Sequence, residues 1–305
     1  MVLPFRLFFT TFWLILLTCS EQVFALQFQR YHTQEEINAT LREWALKFPE
    51  TAHFEILGQS QQGREIGLLT LSRSSGAETQ AIYLNATHHG NEKAATEALL
   101  ALANHLIQAR NEPGIDRLLR RYKILVHPLV NPDGHANNTR GDAQGHDPNR
   151  DYAGPQKPDK DAFQLPETRL VRELMRRENV VASAAFHSGL EAILWPWCHT
   201  PESSQHDAVF KGIGELVARS MGLTKARQSF YDYKTDGEFI DYAYMKYGTY
   251  ALTLEVATEA SPPAEQLALT VQRSITGTMT FLNSIDKALE RRDSGLSGEA
   301  QAVLW

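Results

Sequence analysis

The fold class that the sequence predicts is α/β: a single domain with a mixed, mostly parallel central sheet and helices on both faces. Three observations predict it. Short apolar runs that stop at polar turns alternate with stretches of helical periodicity. No composition break or internal repeat divides residues 26–290. The residues best suited to chemistry, His89, Glu92, His187 and Glu255, all fall at the C-terminal ends of expected strands. Open α/β sheets carry their sites along that edge.

Residues 1–25 read as a removed secretion signal, which implies a secreted or periplasmic protein. Arg6 supplies the early positive charge, Leu7 to Leu17 is almost wholly apolar, and Val23 and Ala25 occupy the small-residue positions of a cleavage site. The apolar run is shorter than the roughly 20 residues that span a bilayer, so no stable membrane insertion is expected once the signal is gone. Leu16-Leu17-Thr18-Cys19 only loosely resembles a lipoprotein acylation site, because the residue before the cysteine is usually smaller. Without the signal, Cys198 is the sole thiol and no intramolecular disulfide can form.

Thr33-Gln34-Glu35-Glu36 is a capping box, followed by Ile37, Leu41, Trp44, Ala45 and Phe48 at helical spacing. Phe54 to Gly58 and Glu65 to Leu71 read as a hairpin, and Ala81 to Leu84 as the next strand. Ala94 to Ala109 has the broad apolar face of a core-packed helix. Ile124 to Val130 is a buried strand, and Asn131-Pro132-Asp133-Gly134 reads as a turn. Residues 135–162 lack periodicity, and a loop that long inside a compact domain is usually functional or disordered. A helix from Pro166 to about Glu178 leads to a strand, Val180 to Phe186, that ends at His187. A strand at Ala192 to Trp197 and helices near 208–221 and 239–247 come next. A last strand, Tyr250 to Leu254, ends at Glu255, and a helix follows from Pro262 to Leu289. The polar residues 291–305 read as a flexible tail.

A net charge of −6 and a pI near 6.0, with scattered basic residues, give no footprint for nucleic acid. The chemistry lies in His89-Gly90-Asn91-Glu92. An imidazole and a carboxylate three positions apart, between a strand and a helix, suit Zn²⁺, although a surface turn can hold the same pair by chance. His187, ending a second buried strand, supplies a third ligand and leaves a fourth position open; taken alone it reads equally well as a core histidine. Glu255 is placed as the base that takes a proton from water, its rival role being a paired or capping carboxylate.

On these motifs the chain resembles the zinc metallocarboxypeptidases of the carboxypeptidase A type, the funnelins. The resemblance runs over residues 30–285 and rests on His89-Gly90-Asn91-Glu92, Asn131-Pro132-Asp133-Gly134, Asp147-Pro148-Asn149-Arg150, His187-Ser188 and Thr253-Leu254-Glu255. Gly58-Gln59-Ser60 with Gly63-Arg64 looks like the family's early signature. It implies one zinc ion held by His89, Glu92 and His187, and peptides with a free C-terminal carboxylate as substrates. It further implies that Asn149 and Arg150 bind that carboxylate, Arg140 stabilises the oxyanion, and Asp147 orients His89. Tyr233, or Tyr231 close by, matches the tyrosine that caps the substrate, and Ile240 the position deep in the pocket for the C-terminal side chain. An apolar Ile240 implies an apolar preference; Asp236, Glu238 or Asp241 facing the pocket would favour a basic residue, and a diaminopimelate-type end of a cell-wall peptide also suits a secreted enzyme. His88 beside His89, and Pro148 where the family carries a residue without an imino ring, depart from the pattern. An N-acyl amino acid deacylase on a related zinc fold, with a similar HGNE motif, is the nearest other reading; a catalytically inactive peptide-binding relative is the second.

Overall fold

The computed structural model describes residues 30–293 apart from 75 and 77. The secretion signal expected at 1–25, with Cys19, and the part of the expected tail beyond 293 lie outside the described residues. Eight strands and eight α-helices follow in the order α1 (Gln34–Lys47), β1 (Ala52–Gln59), β2 (Glu65–Leu71), β3 (Ala81–Ala86), α2 (Lys93–Gln108), α3 (Pro113–Arg121), β4 (Lys123–His127) and α4 (Pro132–Asn137). The second half is α5 (Pro166–Arg177), β5 (Val180–His187), β6 (Leu190–Trp195), α6 (Asp207–Met221), β7 (Ala226–Gln228), α7 (Phe239–Tyr247), β8 (Tyr250–Ala257) and α8 (Ala264–Asp293). The capping box is formed as expected, with the Thr33 and Glu36 side chains each accepting from the other's backbone N–H.

Several details differ from the sequence reading. α3 and β7 were not expected. β4 stops at His127, because Pro128 has no N–H to donate to a ladder. Asn-Pro-Asp-Gly is the opening of a short helix rather than a free turn: the Asn131 side chain caps it by accepting from Gly134 N at 2.8 Å, and Pro132 takes the first position, where no N–H is needed. Finally, α8 runs on to Asp293, so residues 291–293 belong to a helix and not to a tail.

The sheet order is β1-β2-β4-β3-β5-β8-β6-β7. The central β4, β3, β5 and β8 run parallel, while β2 meets β4 and β6 meets β8 antiparallel. β3 and β5 are buried along their whole length, as strands covered on both faces must be. Alternation along β3 divides the core. Ile82 and Leu84 pack with Leu99, Leu102 and Leu106 of α2 and Phe281 of α8, whereas Ala81 and Tyr83 pack with Leu174 of α5 and Tyr242 of α7. Each fully buried side chain of this size contributes about 1.5–3 kcal/mol. From β3 the chain passes to β4 on one side, then returns past β3 to β5 on the other. The carboxyl ends of β3 and β5 therefore flank a topological switch point. Among the described residues, no helix is long and apolar enough to cross a membrane.

Candidate active site

The corner after β3 is held by backbone as much as by side chains. Thr87 has φ 61°, a left-handed conformation that costs a β-branched residue on the order of 1–3 kcal/mol. Its neighbours hold it there: Thr87 Oγ1 lies 2.6 Å from Thr96 Oγ1, and Thr87 O accepts from Asn131 N at 3.1 Å. Asn131 Nδ2 donates to His88 O and Gly141 O, both at 3.1 Å. A Cβ on Gly90 would lie 2.0 Å from the Gly134 carbonyl carbon, so only glycine lets these two segments meet backbone to backbone. Buried Asp133 then accepts from Ser60 Oγ (2.7 Å), Gln62 N (2.9 Å) and Arg64 Nη1 (2.7 Å), anchoring the loop that carries the early signature.

Around this corner His89, Glu92 and His187 converge, one donor atom from each lying within 4.8 Å of the others. His89 Nδ1 is 2.7 Å from Glu92 Oε1, His187 Nδ1 is 2.8 Å from Glu92 Oε2, and the two Nδ1 atoms are 3.2 Å apart. Two imidazole nitrogens and a carboxylate form a donor set that fits zinc. The far nitrogen of His89 lies 3.1 Å from Asp147 Oδ1, the kind of hydrogen bond that sets a ligand imidazole's tautomer. His88 faces away: its Nε2 is 2.8 Å from the Tyr152 hydroxyl, and burial with the neighbouring histidines lowers its pKa well below the usual value. Of the two histidines the resemblance takes His89 as the ligand, and it is His89 that the fold turns toward Glu92.

The electrostatics match the geometry. Burial opposes protonation of His89, but Glu92 and Asp147 outweigh it and push its pKa up to about 9. Burial alone would raise Glu92 and Asp147; the histidines beside them, and Arg140 beside Asp147, hold both below the usual carboxylate range. Glu255 stands opposite His187 in the β5–β8 register. Burial, and the nearby Glu92 carboxylate, raise it well above the ordinary value. Carboxylates that favour positive charge on the imidazole beside them would favour a metal cation in the same place.

The cleft over these residues, about 140 Å³, is also lined by Arg140, Asn149, Arg150, Tyr233, Asp232 and Glu238. Arg140 donates from Nε and Nη2 to Asp147 Oδ2 at 3.2 and 3.0 Å, and its Nη1 is 3.5 Å from Glu92 Oε1. Pro148 opens a single 3-10 turn whose Asn149 N–H is capped by Asp147, so its ring fits without displacing that turn. Asn149 Oδ1 accepts from Phe239 N at 3.0 Å, and the Arg150 guanidinium lies 6.0 Å from the Tyr233 ring centre. Tyr231 also projects to the surface but is not part of the lining. Ile240 departs from its expected place. It is 2% exposed, packed in the core with Tyr83 and Tyr152, and absent from the lining. The first turn of α7 points it inward, and Glu238, at the cap of that helix, reaches the cleft instead. Leu194, Ser229 and Asp232 line the cleft without any motif to announce them. Cys198 is buried, with its thiol 3.2 Å from Glu238 Oε2.

A nitrogen–carboxylate triad able to hold a metal at a switch point, with an acid facing it and arginines beside it, has the parts that zinc-dependent hydrolysis needs. The comparison with known proteins narrows this. A family model described as zinc carboxypeptidase matches residues 37–277, and the chain belongs to that family, which uses zinc. It is 27% identical to carboxypeptidase M of Mus musculus over 81% of this chain and 63% of that protein. It is 25% identical to carboxypeptidase D of Homo sapiens over 85% of this chain, which spans only 24% of that protein. Among solved structures it is similar to carboxypeptidase A from Helicoverpa armigera, with a TM-score of 0.79 and 18% identity over 90% of this chain and 78% of that one.

Proposed function

We propose that the chain is a secreted zinc metallocarboxypeptidase that removes the C-terminal residue of peptides, cell-wall peptides being candidate substrates. The observation that carries this reading is that Asn149 and Arg150 share one cleft with the metal triad and Glu255. A planar guanidinium binds a carboxylate bidentately, so an arginine at one end of the cleft selects a chain terminus. Zinc, when bound by His89, Glu92 and His187, supplies a Lewis acid that acidifies water and polarises a carbonyl.

The chain's own residues do the rest. Asn149 and Arg150 hold the terminal carboxylate and so place the last peptide bond beside Glu255. Glu255 takes the proton from the attacking water and passes it to the departing amine. Arg140 donates to the oxygen that becomes negative in the tetrahedral intermediate. Asp147 keeps His89 and Arg140 in register by bonding both. Tyr233, exposed at the rim, covers the bound end and excludes water. The signal-like residues 1–25 support secretion. Neither the deacylase nor the inactive-binder reading has an observation of its own in its favour.

The test is direct. Purified protein should hold one zinc per chain, chelation should stop release of C-terminal amino acids from blocked peptides, and zinc should restore it. Glu255→Gln should lose at least 10³-fold in kcat while retaining zinc. Cleavage that survives complete zinc removal would refute the proposal.

A further inference from the structure

Besides Glu92 and Glu255, the cleft wall carries two acids, Asp232 and Glu238. Asp232 is already matched by Lys225 and Arg227. Glu238 lies with its side chain 12% exposed, its Oε1 3.1 Å from Arg150 Nη1 and accepting from the Thr235 hydroxyl. The neighbouring acids of the same segment face elsewhere: Asp236 accepts from Gln156 N, and buried Asp241 is bonded by Cys198 N and lies against His199.

The pairing of Glu238 with Arg150 has a consequence for the ligand. Under the carboxypeptidase reading, on which this inference rests, Arg150 takes the peptide's terminal carboxylate. With a peptide bound, one guanidinium then faces two carboxylates, the ligand's and that of the largely buried Glu238. Arg140 does not repair the balance, since it is bonded to Asp147. Two carboxylates cannot remain ionised close together at low cost without a second cation. Nothing else in the lining supplies one there: Leu194, Ser229 and Thr253 complete the wall. The ligand itself can supply it.

We propose that Glu238 is a specificity-determining residue, and that the site takes peptides whose C-terminal residue carries a cationic side chain. Lysine and arginine ends meet this requirement, and so does the free amine of a diamino-acid end. Ile240, buried in the core, offers such a side chain no competing apolar contact.

The experiment compares kcat/KM of the zinc-loaded enzyme and of Glu238→Gln on blocked peptides identical except for the last residue: Lys, Arg, meso-diaminopimelate, Leu or Phe. The wild type should favour the cationic ends by at least tenfold, and the substitution should shrink that ratio roughly 10–100-fold. The Lys and Arg arms against the diaminopimelate arm distinguish a protein-derived from a cell-wall-derived end. Because the readout is a ratio within each variant, damage to folding or to Arg150 cancels. A wild type that prefers Leu or Phe, or a ratio that Glu238→Gln leaves unchanged, overturns the proposal while leaving the carboxypeptidase reading intact. Failure to cleave any of the peptides would overturn that reading, and this inference with it.

Discussion

At the scale of single residues, Asp147 joins the two halves of the site. One oxygen faces the far nitrogen of His89 and accepts from Asn149 N, and the other accepts twice from Arg140. A candidate metal ligand and an arginine of the cleft are thus oriented by one carboxylate. A second pair, away from the cleft, controls stability. His32 donates its backbone N–H to Glu97 Oε1, and its Nδ1 lies 2.7 Å from Glu97 Oε2. The bond to Glu97 raises the His32 pKa against an opposing effect of burial. A raised folded-state pKa means that the stabilisation is fully present below the unfolded value of about 6.5 and is lost as pH rises through the folded value. Urea denaturation should therefore show His32→Ala to be about 1–2 kcal/mol less stable than wild type at pH 6, with the gap narrowing at pH 9. A gap that widens with pH would rule out this origin.

Elements are locked together by motif packing. The loop after β3, the start of α4 and the loop between β1 and β2 meet through Gly90, Asn131 and Asp133. Asp133→Ala leaves Ser60 and Arg64 without their buried acceptor, and should cost about 2–4 kcal/mol, seen as a lower urea midpoint at unchanged m-value. Because Asp133 also steadies the backbone against Gly90, kcat/KM should fall with it; a fully stable, fully active variant would show that the lock is dispensable. This packing explains why residues 58–64 carry a signature although none of them touches the cleft. It also separates what was legible from what was not. The strands and helices with strong apolar periodicity were readable from sequence. α3 was not, because Pro113-Gly114 looks like punctuation when proline is in fact well suited to a helix's first turn. β7, three residues long, is too short to show a period.

Across the whole molecule, the site is assembled from segments far apart in sequence. The candidate ligands come from the β3–α2 corner and the end of β5, the proposed base from β8, the arginines from the long loop before α5, and Tyr233 and Glu238 from between β7 and α7. A metal ion bound there ties both sides of the switch point to the folded state alone. At a thousandfold excess of zinc over its Kd, linkage predicts about 4 kcal/mol of stabilisation, a rise in Tm on the order of 10 °C for a domain of this size. Calorimetry with and without a chelator measures it. His187→Ala, which removes the β5 ligand, should flatten the response, and a zinc-independent Tm in the wild type would contradict it.

The sequence by itself determined the α/β class, the course of the central strands and the candidate metal-ligating motif, because hydrophobic period and short-range spacing are written locally. Tertiary structure alone decided that Ile240 turns into the core and that Glu238 reaches the cleft beside Arg150. Those outcomes depend on the direction in which a side chain leaves a packed helix or corner, and no spacing along the chain encodes that direction.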